Sequence, residues 1–282
     1  MTMTVAILGA AGQLGRALAR RLPLQGYAVI PLTRPEWDVT DADIVSRLVG
    51  LRPSALVNAA AMTHVDGCEH EPERAYGVNG LGAEHVARAA AELGIPLVHV
   101  STDYVFDGLN NTAPYAEDAP TNPLSVYGAS KLDGERRVLA VYPQAKIART
   151  AWLYGLGGRN FVTRMVQLAD ERGALSVVTT EVGNPTFCDD LADAVGRLLP
   201  LPASGVFHLA NEGHASRWEF ARAILAQAGR GHIPVQPIDH YPRPARPPAF
   251  APLANTRAAA LGIRLRPWLD ALAAYFAALA EA

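Results

Sequence analysis

The sequence predicts an α/β chain: a doubly wound parallel sheet with a smaller α/β region toward the C-terminus. Three observations carry this. Short apolar runs alternate with helical stretches through the first half of the chain, the rhythm of βαβ units. The first apolar run ends in a glycine-rich turn that opens a helix. Past about residue 150 the rhythm loosens into helices, short strands and a proline-rich stretch.

Val5–Leu8 is the first strand, followed by the helical "QLGRALARRL". "YAVIPL" (27–32) and "ALVNAAA" (55–61) are the second and third strands. "ERAYGVNGLGAEHVARAAAELG" reads as one helix and "PLVHVST" (96–102) as the fourth strand. Ser125 to Val141 is helical, and "AKIART" (145–150) is strand-like. Then come a helix at "NFVTRMVQLADERG", a strand at "LSVVTT", a helix at "CDDLADAVGRLLPL" and a late strand at "GVFHLAN" (205–211) that rejoins the main sheet. Seven prolines between 234 and 252 predict a rigid irregular loop, and Pro267 starts an amphipathic closing helix. We therefore expect a Rossmann-type dinucleotide-binding domain over 1–155, with a strand returning near 205–211, and a mainly substrate-binding domain over 156–282.

The chain has 282 residues, half of them apolar, and a formal net charge of −2. That balance offers no electrostatic reason to expect nucleic acid or an anionic membrane as partner. No apolar stretch is long enough to span a bilayer, and the N-terminal "MTMTVAILGAAGQLG" lacks a basic leader and reads as a strand. Two cysteines, Cys68 and Cys188, are too few for a disulfide framework, so a reducing, cytoplasmic setting is expected.

The turn Gly9-Ala10-Ala11-Gly12-Gln13-Leu14-Gly15 follows the pattern G-x-x-G-x-x-G, which lets backbone N–H groups approach a pyrophosphate at a helix N-terminus. Thr33-Arg34 follows the second strand; an arginine there favours the 2′-phosphate of NADP, whereas NAD enzymes place an acid. As a plain loop residue Arg34 would instead be solvated. Ser101-Thr102-Asp103 ends the fourth strand, where ligands lie in open α/β sheets, and a hydroxyl there can hydrogen-bond a carbonyl; alone, such a pair is more often a cap or turn.

Tyr127 and Lys131 are four apart on a helix and share one face. Lys131 is one of only two lysines beside 23 arginines. A compact ammonium stabilises a phenolate, lowers the tyrosine pKa toward the working range and reaches ribose hydroxyls; arginine substitutes poorly. With nine tyrosines, a chance Tyr-x-x-x-Lys is expected roughly 0.06 times in this chain, so the pair outweighs its reading as a surface helix pair. Gly128 between them costs about 1 kcal/mol of helix propensity and implies something close to the helix, such as a cofactor.

Together these motifs resemble the extended short-chain dehydrogenase/reductase superfamily and, within it, the dTDP-4-dehydrorhamnose reductase family. "GAAGQLG" (9–15), "WDVTD" (37–41), "VNAAAMTHVDGCEHEPERAYGVN" (57–79), "STDYVFDG" (101–108), "PYAEDAPTNPLSVYGASKLDGE" (114–135), "RTAWLYG" (149–155), "NF" (160–161) and "GNPT" (183–186) carry the resemblance. It implies NADPH as cofactor, with NADH open, and a nucleotide-sugar substrate whose 4-keto oxygen is bound by Thr102 and protonated by Tyr127. Lys131 would tune Tyr127 and hold the nicotinamide ribose. Gly12, Gln13 and Leu14 would sit on the pyrophosphate, with Gly9 and Ala11 also cofactor-binding, Asp38 and Val39 by the adenine, and Ala59, Ala60 and Ala61 along the cofactor. Trp152 would stack in the sugar pocket, with Asp103 and Asn160 beside it.

The resemblance leaves a homodimer open. It departs from the family at "RPPAFAPLANTR" (246–257), where alanine stands in place of an expected serine. Arg16-Ala17 after the third glycine predicts no acidic metal site at a dimer contact, and the spacing of His64, Cys68 and Glu69 predicts no metal either. Two other functions share these motifs: a regulatory subunit resembling that of methionine adenosyltransferase, and a sugar-nucleotide epimerase with retained NAD.

Overall fold

A computed structural model of the chain describes residues 2–110 and 112–281. Strand and helix alternate first through β1 (Thr4–Leu8), α1 (Gln13–Arg21), β2 (Ala28–Leu32), α2 (Ile44–Leu51) and β3 (Ala55–Asn58). Two short helices, α3 (Val65–His70) and α4 (Pro72–Tyr76), lead through a widened π-helical turn at Gly77–Leu81 into α5 (Gly82–Leu93). β4 (Leu97–Thr102), α6 (Val126–Val141) and β5 (Lys146–Thr150) follow. Next come β6 (Leu153–Tyr154), α7 (Phe161–Arg172), β7 (Leu175–Val178), β8 (Val182–Gly183), β9 (Thr186–Phe187) and α8 (Cys188–Leu198). The last elements are β10 (Gly205–His208), β11 (Ala215–Ser216), α9 (Arg217–Gln227), β12 (Val235–Ile238), α10 (Thr256–Ala260) and α11 (Trp268–Ala280).

Six strands form one parallel sheet in the order β10-β5-β4-β3-β1-β2. The order reverses between β1 and β3, and their C-terminal ends open the crevice where such sheets bind ligands. The central strands β1 and β3 are almost wholly apolar and buried because both faces of the sheet are covered there. Val5 and Ile7 pack with Leu18 of α1 and Leu191 and Val195 of α8, while Ala6 and Leu8 face Ile44, Leu48 and Val86. Each such fully buried aliphatic side chain contributes about 1.5–3 kcal/mol. Arg20 and Arg21 at the end of α1 pair with Asp189 and Asp193 of α8 at 2.5 and 2.6 Å, fastening the two helices.

Past residue 155 the chain divides its segments between two layers. α8, β10 and the Ala258–Leu265 stretch complete the sheet layer. α7, α9, α11 and the two-stranded pairings β7–β12, β8–β11 and β6–β9 surround a second core centred on Tyr154, Phe187, Phe220 and Tyr275.

Three local expectations change. The third strand stops at Asn58 because the Asn58 Oδ1 accepts the Ala60 N–H at 3.1 Å and turns the chain out of the sheet. The helix read over 73–94 contains the π turn, which aims Asn79 inward: its amide exchanges bonds with the Met62 backbone (2.8 and 3.2 Å) and donates to Ser130 Oγ (2.9 Å). The proline-rich stretch begins as a strand, because β12 pairs only with β7, and an edge position tolerates Pro237.

Candidate active site

A cleft of about 570 Å3 lies over the C-terminal ends of β1, β3 and β4 and reaches the second layer. Its floor is the glycine-rich turn. Gly9 has φ +73°, and a side chain there would begin 2.7 Å from Ala60 N; at Gly15 it would begin 2.2 Å from Gly9 O. Only glycine fits this approach of turn, helix and β3. α1 starts without a side-chain cap, and Gly12, Gln13 and Leu14 of its first turn line the cleft, an arrangement suited to a pyrophosphate. The Gln13 amide oxygen, turned toward the far wall, accepts from the Tyr154 and Gly155 N–H groups at 3.3 and 3.0 Å. The Arg16 guanidinium donates to the Ala11 and Gly157 carbonyls. Ala59 and Ala61 continue the floor with methyl groups only. Small residues, an open helix start and this volume fit an extended dinucleotide.

The wall opposite is carried by β4 and α6. Two anchors set the start of α6: Ser125 Oγ accepts the Gly128 N–H at 3.2 Å, and Glu69 Oε1 accepts the Val126 N–H at 2.8 Å. This presents Tyr127 and Lys131 to the cleft, with Thr102 facing the Tyr127 phenol. Tyr104 packs edge-on against Tyr127, ring centroids 5.4 Å apart. Gly128 answers to a neighbour within the chain: a side chain there would begin 2.1 Å from the Tyr104 carbonyl oxygen. The close approach that the sequence attributes to a cofactor is made by the β4–α6 connection.

Electrostatics depart from expectation at Tyr127. Burial raises its phenol above the usual tyrosine range, with Asp103 and Tyr104 adding to the rise and the Thr102 hydroxyl opposing it. Lys131 is buried and donates from Nζ to the Val100 carbonyl at 2.7 Å; burial lowers it to about 8, against the pull of Glu135. The lysine therefore does not hold Tyr127 down here; the phenol stays protonated, the form an acid requires. Asp103 is buried and raised to about 7 by desolvation, with Thr102 and Arg217 opposing. Glu135 is engaged beneath Lys131, taking two bonds from Arg149 (2.8 and 2.7 Å) and one from Ser101 Oγ (2.5 Å).

The end of the cleft away from the glycine-rich turn is bounded by Trp152, whose φ of +47° lies in the left-handed region. Its indole occupies the space over Gly183, where a side chain would begin 2.6 Å from Trp152 Cε2, and the Arg217 guanidinium stacks 3.5 Å from the ring centroid. Asn160 lines the cleft and also caps α7, accepting the Thr163 N–H at 3.0 Å while donating to the Gly155 carbonyl at 3.0 Å.

The cleft thus brings together Gly12, Gln13, Leu14, Ala59, Ala61, Thr102, Asp103, Tyr127, Lys131, Trp152 and Asn160. It does not extend over the remaining candidates. Gly9 and Ala11 shape the turn from behind, and Ala60 packs into the core. Arg34 is exposed beyond β2. Asp38 accepts from the Thr40 N–H and hydroxyl (2.9 and 2.8 Å), which hold its carboxyl below the usual range. The Val39 side chain is buried, and its carbonyl bonds His85 Nδ1 at 2.9 Å. Sequence reasoning missed Arg217, which sits at the start of α9 and is indistinguishable from the other arginines before folding. It also passed over Tyr104, although the quoted "STDYVFDG" contains it.

His64 caps α3 by accepting the Gly67 N–H at 2.7 Å, and burial, with Glu69 and Glu71, pushes the Cys68 thiol up to about 11. Among the described residues no group of three or more histidines, cysteines and acids is arranged to hold a metal.

A doubly wound sheet with this turn, a strand-end threonine and Tyr-x-x-x-Lys on the following helix defines an extended short-chain dehydrogenase/reductase. The family model described as "RmlD substrate binding domain" matches residues 3–281. A dTDP-4-dehydrorhamnose reductase of Mycolicibacterium smegmatis is 42% identical over 96% of this chain and 84% of its own. Among solved structures, a dTDP-4-dehydrorhamnose reductase of Clostridium acetobutylicum is 37% identical with TM-score 0.93, covering 99% of this chain and 100% of that one. One from Bacillus anthracis, in complex with NADP, is 34% identical with TM-score 0.94 over 99% and 100%. The chain belongs to the dTDP-4-dehydrorhamnose reductase family.

Proposed function

We propose that this chain is an NADPH-dependent reductase of the 4-keto group of a dTDP-linked 6-deoxy sugar, converting dTDP-4-dehydro-L-rhamnose to dTDP-L-rhamnose. The observation that carries this reading is the meeting of the Thr102 hydroxyl, the Tyr127 phenol and Lys131 on one wall of a cleft floored by the glycine-rich turn.

Gly12, Gln13, Leu14, Ala59 and Ala61 hold the dinucleotide, and Arg34, two residues beyond β2, favours the 2′-phosphate. Bound dihydronicotinamide supplies the hydride that the sugar C4 requires. Thr102 and Tyr127 hold the carbonyl oxygen as it gains negative charge, and Tyr127 gives it the phenolic proton. Burial keeps that proton on Tyr127 until an alkoxide can take it. The Lys131 ammonium, anchored on the Val100 carbonyl, keeps donors free to hold the ribose. Trp152, Asp103 and Asn160 bound the sugar. A cytoplasmic location and a homodimer complete the reading; light scattering of the purified protein tests the latter.

NADPH oxidation against a panel of 4-keto nucleotide sugars, with the product's C4 configuration assigned by NMR, tests the function. Turnover of the dTDP-linked 6-deoxy substrate supports it; oxidation with none of the panel contradicts it.

A further inference from the structure

Thr102 has one hydroxyl proton and two neighbours that can take it, the Asp103 carboxyl behind it and the Tyr127 phenol on the cleft side. Its Oγ1 lies 3.0 Å from Asp103 Oδ1 and accepts the Tyr104 N–H at 3.2 Å. A hydroxyl offers one donor and two acceptor positions. If Asp103 is a carboxylate it can only accept, so the Thr102 proton is spent on Oδ1 and the hydroxyl turns lone pairs toward an incoming carbonyl oxygen. If Asp103 is a carboxylic acid, its O–H donates to Thr102 Oγ1. With Tyr104 filling the other acceptor position, the Thr102 proton is then free to point into the cleft.

The surroundings favour the acid. Asp103 is 2% exposed, and its Oδ2 has no hydrogen-bond partner. An ionised carboxylate so placed carries a large desolvation cost, which a proton relieves. The groups facing it are Arg217 from α9, Glu181 before β8, and the phenols of Tyr104 and Tyr127. Arg217 is the single cation among them and is itself shared with Glu181 at 3.4 Å and the Trp152 ring. Arg243 lies further out, beside Glu181 at 3.8 Å. The balance places the Asp103 carboxyl at about 7.

Resting on the reductase reading above, we propose that Asp103 is a positioning residue that works as its neutral acid: by donating to Thr102 Oγ1 it directs the Thr102 proton onto the substrate carbonyl oxygen. Asp103 thereby sets the polarity of the oxygen-binding pair without giving up a proton to product. Ionisation reverses the Thr102 hydroxyl and leaves Tyr127 as the lone donor.

The test is the pH profile of kcat with NADPH and dTDP-4-dehydro-L-rhamnose for wild type, Asp103→Asn and Asp103→Leu. The asparagine amide donates to Thr102 Oγ1 at every pH; leucine neither donates nor accepts. Wild type is expected to lose about tenfold between pH 6 and pH 8 through Asp103 alone, as the protonated fraction falls. Asp103→Asn is expected to lose that limb, its own kcat changing by no more than about twofold between pH 6 and pH 8; Asp103→Leu is expected to be slow throughout. NADPH binding by fluorescence shows that each variant is folded. An infrared carboxylic-acid band that titrates near pH 7 in wild type and is missing from Asp103→Asn reports the protonation without turnover. The same limb persisting in Asp103→Asn, or a wild-type band that is absent at pH 6, would overturn the proposal. A wild type that binds NADPH yet reduces no 4-keto sugar overturns the reductase reading instead.

Discussion

Lys131 should weaken the fold that carries it. Its ammonium is 2% exposed, and burial takes it from the ordinary 10.5 to about 8. Holding such a charge inside costs about 3 kcal/mol at neutral pH, by the rule of about 1.4 kcal/mol per unit. Lys131→Met removes the charge and keeps the apolar stem, but it also removes the bond to the Val100 carbonyl, which is worth about 1–2 kcal/mol. The net expectation is a cofactor-free variant that is about 1–2 kcal/mol more stable at pH 7 while reduction is lost. Urea unfolding measures this as a rise in midpoint at unchanged slope. The pH dependence has a defined sign. Below pH 8 the lysine is charged in both states and the cost is fully present. Between the folded value near 8 and the unfolded 10.5, the unfolded chain binds more protons, so wild-type stability rises with pH relative to the variant and the gap closes. A variant less stable than wild type at pH 7, or a gap that does not narrow on going alkaline, would refute the reasoning.

Two further substitutions probe the frame around the site. Gly15→Ala places a carbon 2.2 Å from the Gly9 carbonyl, so the turn must open; a loss of about 1–3 kcal/mol in urea stability is expected, together with weaker NADPH binding in a fluorescence titration. Glu135→Gln removes the charge and one of the two acceptor oxygens facing buried Arg149 and should cost about 3–5 kcal/mol, whereas Glu135→Gln with Arg149→Met should recover part of that loss, measured by a double-mutant cycle.

Much of this arrangement is legible before folding because it is local. A strand–turn–helix at the chain start needs only Val5–Leu8, the glycine spacing and the amphipathic "QLGRALARRL". Tyr127 and Lys131 share a face through helix geometry alone, so their meeting needs no tertiary knowledge. The remainder depends on segments far apart in sequence. Arg217 reaches Trp152 only because β8 and β11 pair, setting the start of α9 beside the cleft. Gly128 reads as room for a ligand, yet the Tyr104 carbonyl fills that room. The Tyr127 proton affinity inverts the simple lysine argument because desolvation, invisible in a spacing pattern, outweighs a cation that bonds elsewhere. The π turn at Gly77–Leu81 likewise follows from where Asn79 must reach rather than from its neighbours.

The proton step proposed for Tyr127 is tested most directly by Tyr127→Phe, which removes one oxygen and leaves the edge-on packing against Tyr104. Single-turnover NADPH oxidation with dTDP-4-dehydro-L-rhamnose should fall by at least about a hundredfold, with NADPH affinity changed by no more than a few fold. Near-wild-type turnover in that variant would contradict a proton delivered by Tyr127.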